Sequence, residues 1–331
     1  MRTLPKVWLM RQAGRYLPEY RAIRETMPSF LSLCYNSEKA AEVTMQPLKR
    51  FDLDAAIVFA DILLVLDMIG LNVEFVEKQG PVIEQLNSDN IKSLKVQDSC
   101  MQIEAICNTI KIVKSEISKS KKVIGFAGSP WTVATYAIEG RSKADFTLSK
   151  IAALSASKDL DLLIELITKQ TILYLFAQIE AGADIIKLFD SWAGILHGWE
   201  YHKYVIDPTI KIVEAIKDKY PHIPIIAFPK GSGYHYEDYL KFINFDILAV
   251  DQNIPNVCMH NWQRSKIIQG NLDPLVLMLD DKNTIKDKVD DVFKDIDRNK
   301  FIFNLGHGVL PTTPIDNVHF LINYVQEKFI I

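Results

Sequence analysis

The chain alternates short apolar runs with longer amphipathic stretches along its whole length. Each run is rich in Val, Ile and Phe and ends in a polar or glycine-containing cluster, which is typical of strands buried on both faces. Eight such runs occur, over residues 7–10, 55–59, 123–127, 184–189, 224–228, 247–250, 267–269 and 301–304. The pattern therefore predicts eight buried strands.

Longer stretches between these runs carry apolar residues three and four positions apart, with charges between them. This spacing predicts amphipathic helices over residues 38–51, 98–118, 158–181, 200–220 and 284–298. Alternating strands and helices predict an α/β fold with a parallel sheet. Because the composition does not change between the two halves, we predict one (β/α)8 TIM barrel, a single domain over residues 1–331. Residues 71–85 predict a small hairpin inserted after the second strand.

Composition narrows the classes of function. The 331 residues are 48% hydrophobic and 24% charged, which suits a soluble protein with a large core. The net charge of −3 gives no reason to expect nucleic acid as a partner. Residues 1–10 lack the apolar core of a signal peptide, and no apolar run approaches the roughly 20 residues that span a bilayer. Four scattered cysteines suit a reducing compartment. We therefore expect a cytoplasmic protein with no membrane partner.

Arginine is used sparingly and unevenly. The chain has 29 Lys but only nine Arg, and four of those nine fall within 14 residues, at Arg11, Arg15, Arg21 and Arg24. Arg binds carboxylates through a rigid two-pronged fork, whereas Lys is a flexible point charge. The cluster therefore indicates a geometric use for Arg near the N-terminus.

The cluster lies in the segment VWLMRQAGRYLPEYRAIR, residues 7–24. It can be interpreted as a strand followed by a basic helix start, but Arg near a helix N-terminus is electrostatically unfavourable. A clamp for several carboxylates fits better. Gly14 would let backbone amides approach a ligand, and we expect Pro18 to end or kink the segment.

This segment resembles the N-terminal signature of the uroporphyrinogen decarboxylase family. The resemblance continues through LDAAIVFADIL (53–63), GFAGSPWTVATYAIEG (125–140), FDSWAG (189–194), QGNLDP (269–274) and NLGHG (304–308). It implies a (β/α)8 barrel, usually a homodimer. It also implies conversion of uroporphyrinogen III to coproporphyrinogen III in haem synthesis, with no cofactor and no metal.

Asp61 follows the second predicted strand. Such an Asp is often a helix cap or turn residue. The resemblance implies instead that its carboxylate accepts hydrogen bonds from the pyrrole N–H groups of the macrocycle. Loss of carbon dioxide needs an electron sink, which a protonated pyrrole ring provides. A fixed anion beside the ring nitrogens would stabilise that cation, so we predict that Asp61 stabilises the transition state. Arg11 is our candidate for supplying the proton, directly or through a bound water.

The resemblance implies a set of substrate contacts around these two residues. Each of Tyr136, Ser191 and Phe126 also has a structural interpretation, as a packed ring, a helix cap and a core residue respectively. His307 lies between two glycines, where packing explains it poorly. Lys230 can assist or be an ordinary exposed lysine. The predicted substrate contacts are Arg11, Gln12, Ala13, Gly14, Arg15, Arg24, Phe126, Tyr136, Ser191 and His307.

The sequence departs from the family pattern at two positions. Ala60 precedes Asp61 where Ser is expected, and Gln252 follows Asp251 where Trp is expected. An N-terminal helix that the family leads us to expect before the first strand is also missing or shortened. Neither substitution replaces Arg11 or Asp61.

Three other functions compete with this one. A zinc-dependent barrel methyltransferase would need thiolate and imidazole ligands, for which the chain offers Cys258, His260 and His307. A non-catalytic tetrapyrrole-binding protein would use the same Arg cluster. A sugar-phosphate enzyme would need a glycine-rich phosphate loop, for which LGHG is too short.

Overall fold

The chain forms an α/β fold around one curled parallel sheet. The computed structural model describes residues 4–76, 79–84, 86, 88–141 and 145–330. Seven strands pair in parallel in the order β1-β4-β5-β6-β7-β8-β9, and β2 and β3 form a separate antiparallel pair. The strands are β1 Ala55–Ile57, β2 Val73–Val76, β3 Gly80–Ile83, β4 Lys122–Gly128, β5 Ile185–Asp190, β6 Ile225–Pro229, β7 Ile247–Ala249, β8 Ile267–Leu272 and β9 Phe301–Leu305.

Helices cover the outer face of the sheet. They are α1 Pro18–Thr26, α2 Phe30–Cys34, α3 Ser37–Arg50, α4 Leu64–Met68, α5 Ser88–Ser93, α6 Met101–Glu116, α7 Pro130–Glu139, α8 Thr147–Leu154, α9 Lys158–Glu180, α10 Gly198–Tyr201, α11 Asp207–Lys219, α12 Tyr236–Phe242, α13 Asn256–Trp262, α14 Lys282–Phe293 and α15 Ile315–Lys328. Strand side chains alternate between two apolar cores, as strand periodicity requires. In β5, for example, Ile186 and Leu188 pack outward against the helices, whereas Ile185 packs inside the curled sheet.

Seven of the eight predicted strands are confirmed, and the first is not a regular strand. Val7 makes a single parallel bridge to Phe303 of β9. The backbone amides of Lys6 and Val7 donate to the Asp54 carboxylate at 2.9 and 2.8 Å, and that of Met10 donates to Asn304 Oδ1 at 3.0 Å. Side chains therefore take several of the hydrogen bonds that a neighbouring strand would otherwise make.

The predicted helices all form, with shifted ends. The predicted helix over residues 200–220 is divided, because a π-helical turn over His202–Ile206 separates α10 from α11. The prediction for Pro18 was wrong: it begins α1, where its missing N–H costs nothing, and does not end the segment. Several helices were not predicted, including the short α7 and the C-terminal α15.

The predicted hairpin is present as β2 and β3, in register from Val73–Ile83 to Val76–Gly80. Residues 77, 78 and 85 of the predicted segment 71–85 lie outside the described residues.

Helix α9 is more apolar than the sequence analysis allowed for. It contains an 18-residue window with a mean hydropathy of 1.4, which is enough by length and composition to cross a membrane. Within this window 56% is buried in the molecule, as in the core helix of a soluble protein. Its buried residues include Leu163, Ile167 and Leu175.

Candidate functional site

The predicted site residues follow the carboxyl ends of the parallel strands. Asp61 follows β1, Ser191 follows β5, Lys230 follows β6 and His307 follows β9. Because parallel strands bring their carboxyl ends to one edge of a sheet, these side chains share one face of the fold. The turn over residues 11–17 joins them, since the backbone N–H of Val309 donates to Met10 O at 2.9 Å.

Arg11 is held in an unusual backbone conformation. Its φ of 58° lies in the left-handed region, which a bulky side chain rarely adopts. Its side chain packs against Gly308, where an added Cβ would lie 2.3 Å from Arg11 Cδ. The second glycine beside His307 therefore leaves space for the Arg11 side chain, and the turn sets the direction in which that side chain leaves the backbone.

Asp61 is half-buried and anchored on one side. Its Oδ1 accepts the backbone N–H of Leu63 at 2.9 Å, so the turn-residue interpretation is correct for this oxygen. Burial raises the pKa of Asp61, whereas the Leu63 N–H and the positive charge of Arg11 lower it. Arg11 therefore favours the ionised form that the predicted role requires.

His307 is half-buried and surrounded by positive charge. Burial lowers its pKa to about 3, and the charges of Arg11 and Lys230 act in the same direction. The imidazole is therefore neutral at physiological pH, with one N–H donor and one acceptor nitrogen. A neutral donor of this kind can bind a carboxylate.

The remaining residues of the basic turn differ in what they contact. Arg15 is exposed, and Arg24 donates to Met27 O at 3.0 Å. Gln12 is buried, and its side chain donates to Ala55 O at 2.9 Å and accepts from the Leu9 N–H at 3.1 Å. The side chain of Gln12 thus joins the turn to β1. Ala13 and Gly14 are half-buried beside it.

Aromatic side chains also line this face of the fold. Phe126 of β4 is 6% exposed and meets the Phe189 ring edge-on, with centroids 5.4 Å apart. Tyr136 on α7 is half-buried, with its ring 5.9 Å from that of Trp192. Lys230 Nζ lies over the ring of Trp192, 5.8 Å from its centroid. Lys230 is accordingly half-buried, and the interpretation as an ordinary exposed lysine is wrong.

The loops after β5 and β6 are in close backbone contact. A Cβ at Gly194 would lie 2.0 Å from Gly231 O, so no other residue fits there. Asp190 supports the same loop: its carboxylate accepts from Thr132 Oγ1 at 2.5 Å, and Thr132 Oγ1 accepts the Trp192 N–H at 2.9 Å. Asp190 Oδ2 is buried without a partner among the described residues. The sequence analysis missed this residue, although its position directly before Ser191 was a usable signal.

We expect Asp190→Asn to reduce the pH dependence of stability. Burial raises the pKa of Asp190 from 3.8 to about 7. The contribution of this shift to the free energy of unfolding is therefore complete below pH 4 and is lost as the pH rises through 7. The change is on the order of 4 kcal/mol. Asn imitates the protonated acid, so the free energy of unfolding of the variant should fall less between pH 4 and 8. Urea unfolding at several pH values measures this.

Asp281→Asn is the matched control for that series. The Asp281 carboxylate caps α14, and hydrogen bonds to Thr284 and Asn283 lower its pKa. Its contribution is lost as the pH falls, which is the opposite sign. Identical pH dependence in Asp190→Asn and the wild type would contradict the assignment to Asp190.

We expect Gly308→Ala to inactivate the site without unfolding the chain. The added methyl group meets Arg11 Cδ and Cγ, at 2.3 and 2.7 Å, and these side-chain atoms can move. A displacement of about 1 Å can cost about 100-fold in rate, so we expect a loss of at least about tenfold in kcat with an unchanged Tm. Steady-state kinetics measure kcat, and thermal unfolding measures the Tm.

The neighbouring glycine gives the contrasting case. A Cβ at Gly306 would lie 2.4 Å from the backbone nitrogen of Gln252, which cannot move independently. Gly306→Ala should therefore lower the Tm. Full activity in Gly308→Ala would show that the position of Arg11 against Gly308 does not matter.

The two departures from the family pattern lie beside the site. Gln252 packs on Gly306, and its Oε1 is buried without a partner among the described residues. Ala60 is half-buried next to Asp61.

The residues suggested for zinc are not brought together. His260 lies on α13, and its Nδ1 is 2.6 Å from Asp295 O. In the part of the chain that the structure describes, no group of three or more His, Cys, Asp or Glu side chains is arranged to hold a metal ion. Cys258 and the other three cysteines are free.

Comparison with known proteins gives a consistent result. The family described as uroporphyrinogen decarboxylase (URO-D) matches residues 3–328. A uroporphyrinogen decarboxylase of Rickettsia bellii is 48% identical over 324 residues, covering 98% of this chain and 95% of that protein. One from Rickettsia rickettsii is 47% identical over 321 residues, covering 97% and 92%. Among solved structures, a methyltransferase from Methanosarcina mazei has a TM-score of 0.78 at 16% identity, covering 99% of this chain and 95% of that one. At this identity the likeness concerns the fold alone.

Proposed function

The chain belongs to the uroporphyrinogen decarboxylase family, and we infer that it is a carboxy-lyase that removes the four acetate carboxylates of uroporphyrinogen III to give coproporphyrinogen III. This places it in porphyrin and haem biosynthesis. The observation that carries the inference is the set formed by Arg11, Asp61 and His307. It combines a single half-buried acid with a fixed guanidinium and a neutral imidazole at one end of the sheet.

These residues suit the chemistry that the reaction needs. The Asp61 carboxylate would accept the pyrrole N–H groups and stabilise the cation that forms when a ring carbon is protonated. The carboxylate of the acetate side chain then leaves as carbon dioxide, and the electrons of the broken C–C bond neutralise the ring. The exocyclic carbon gains a proton and the ring loses one, so each cycle consumes one proton and releases one carbon dioxide. The protonated ring is the electron sink, and we propose that no cofactor is used.

The substrate carboxylates need positive charge and hydrogen-bond donors. Arg11, Arg15 and His307 would supply them on one side of the ring. Phe126 and Tyr136 would contact the apolar faces of the macrocycle on the other. Ser191, Arg24 and the backbone of residues 12–14 complete the predicted contacts.

Anaerobic incubation of the purified, chelator-treated protein with uroporphyrinogen III tests the function. Products are separated by their number of carboxylates. Stepwise loss from eight carboxylates to four supports the decarboxylase. Binding without loss would favour a tetrapyrrole-binding protein, and activity that returns only with zinc would favour a methyltransferase-like site.

We also propose that the sheet closes into an eight-stranded barrel and that residues 1–331 are one domain. The support is that residues 6–10 contact both edges of the seven-stranded sheet, one at β9 and the other beside β1. Phe303 of β9 donates its backbone N–H to Lys6 O at 2.8 Å, and Asp54, next to β1, donates to Val7 O at 3.0 Å. Trp8 and Met10 pack inside the curled sheet with the other inward-facing residues.

We also propose that the protein is a homodimer in the cytoplasm. Large apolar side chains are exposed in the segments that follow β5 and β6, with Trp199 51% and Tyr234 84% exposed. Exposed apolar patches of this kind often lie at protein interfaces. Sedimentation analysis should give twice the monomer mass of 37.7 kDa.

A further inference from the structure

Lys187 is a buried lysine that the sequence analysis did not single out. It lies in the middle of β5, where alternate residues Ile185 and Phe189 face the interior of the curled sheet. Its side chain is completely buried, at 0% exposure. A lysine is almost never fully buried without a partner, so this position needs an explanation.

The surroundings of its Nζ contain rings and sulfur but no acid. The Phe189 and Phe228 centroids are both 4.8 Å away, and that of Trp8 is 5.0 Å away. Met10 Sδ, at 3.5 Å, is its one hydrogen-bond partner in the described parts of the chain. No carboxylate of the described residues lies within ion-pair distance of the amine.

The polar groups nearest these partners offer donors, not acceptors. Gln269 Oε1 accepts from Trp8 Nε1 at 3.2 Å, and Asn304 Oδ1 accepts the Met10 N–H at 3.0 Å. The remaining polar atoms of these two side-chain amides are the donors Gln269 Nε2 and Asn304 Nδ2. Both are buried and unpaired within the described residues. A neutral amine fits this environment, because it is nearly apolar. An ammonium group is stabilised only by the ring faces, which do not fully replace water.

The charge state of Lys187 is nevertheless coupled to the site. Phe189 and Phe228, which contact its Nζ, also pack in the row of rings that includes Phe126. A positive charge on Lys187 would lower the pKa of His307, so the charge state of the lysine would act across the ring layer. Charged and titratable groups follow the surrounding elements on this side of the fold, namely Arg11, Asp61, Asp190, Lys230, Asp251 and His307.

We propose that Lys187 is a proton-binding residue beneath the substrate: it is neutral in the free protein and is protonated from solvent when a carboxylate-rich ligand occupies the mouth of the sheet. The inference rests on the proposed function, which supplies a ligand with four to eight carboxylates. Those anions favour the charged amine, so ligand binding takes up a proton and lowers the electrostatic cost of further anions. Lys187 does not contact the substrate and acts as a positioning residue for charge.

Burial lowers the pKa of Lys187 well below its ordinary value of 10.5, in agreement with this proposal. The sign of the stability effect follows. Below pH 10.5 the unfolded chain binds a proton at this lysine that the folded chain does not, so the residue destabilises the fold increasingly as the pH falls.

Lys187→Met is the decisive variant, because Met keeps an unbranched apolar stem that fits the ring cage. Lys219→Met is the matched control: Lys219 also lies over two rings, Phe176 and Tyr220, at 4.5 and 5.1 Å, but its side chain is 50% exposed. The first experiment compares urea unfolding of the free proteins at pH 7 and pH 10. The advantage of Lys187→Met over the wild type should widen at pH 7. An advantage that is the same at both pH values would overturn the proposal.

The second experiment measures proton uptake during binding, by calorimetry in two buffers with different ionisation enthalpies. The probe is coproporphyrinogen III, kept anaerobic at pH 8. The wild type and Lys219→Met should take up more protons than Lys187→Met, by up to about one proton per site. Equal uptake in all three proteins would overturn the role of Lys187 while leaving the decarboxylase intact. Failure of coproporphyrinogen III to bind any of them would instead overturn the proposed function, and the inference with it.

Discussion

Replacing Asp61 by Asn should lower kcat by about 100- to 1,000-fold while changing KM little. One fixed group that stabilises charge in a transition state contributes about this much. Asn has the same shape, and its Oδ1 can still accept the Leu63 N–H that anchors the turn. The variant therefore removes the negative charge and little else. Because the cation forms only after the ring is protonated, the substitution should remove much less stabilisation from the ground-state complex than from the transition state.

The pH profile gives a second measure of the same substitution. Burial raises the pKa of Asp61, so activity of the wild type should fall as the pH drops through a value above the ordinary 3.8. This acid limb should be absent from the residual activity of Asp61→Asn. Asp52→Asn is a control for the change in net charge, since its side chain is 73% exposed. Wild-type turnover in Asp61→Asn would rule out the electrostatic role.

Replacing Arg11 by Met should lower kcat/KM by about 100-fold or more. A charge-assisted hydrogen bond contributes up to about 3 kcal/mol, and a carboxylate loses two such bonds when the fork is removed. The positive charge also opposes the burial that raises the pKa of Asp61. The acid limb of the pH profile should therefore move to higher pH in Arg11→Met, because less Asp61 is ionised at a given pH.

Arg11→Lys separates the charge of Arg11 from its shape. Lys keeps the positive charge, so the acid limb should stay near that of the wild type. It lacks the two-pronged fork, so kcat/KM should remain well below the wild-type value. Arg264→Met, at an exposed position, controls for the loss of one positive charge. Full activity in Arg11→Lys would eliminate the bidentate clamp.

Positive charge at this site comes from different elements and is held in different ways. Arg11 is fixed by a strained turn and by Gly308, and Lys230 lies over Trp192. A chain with a net charge of −3 thus concentrates cations at one end of its sheet. Such a concentration suits a polyanionic ligand better than a uniform surface charge would.

The sequence by itself determined the periodic features and the local chemistry. Apolar runs predicted seven of the strands because burial on both faces leaves few polar positions within them. Spacing predicted the long helices, and the Arg-rich segment indicated a carboxylate site. Residues 7–10 form a single bridge instead of a regular strand, since periodicity does not report which partner takes the backbone hydrogen bonds. Those partners, Asp54 and Asn304, are distant in the chain.

Only the tertiary structure decided how these residues act together. The Arg11 side chain can extend from its left-handed turn because Gly308, nearly 300 residues later, leaves room for it. The depressed pKa of His307 arises from burial and from the charges of Arg11 and Lys230, which lie on separate elements. Asp190 and Lys187 lie three positions apart in one strand, so alternation points one toward the helices and the other into the sheet interior. Charge and burial are properties of three-dimensional surroundings, and a linear pattern contains only the residues that will meet there.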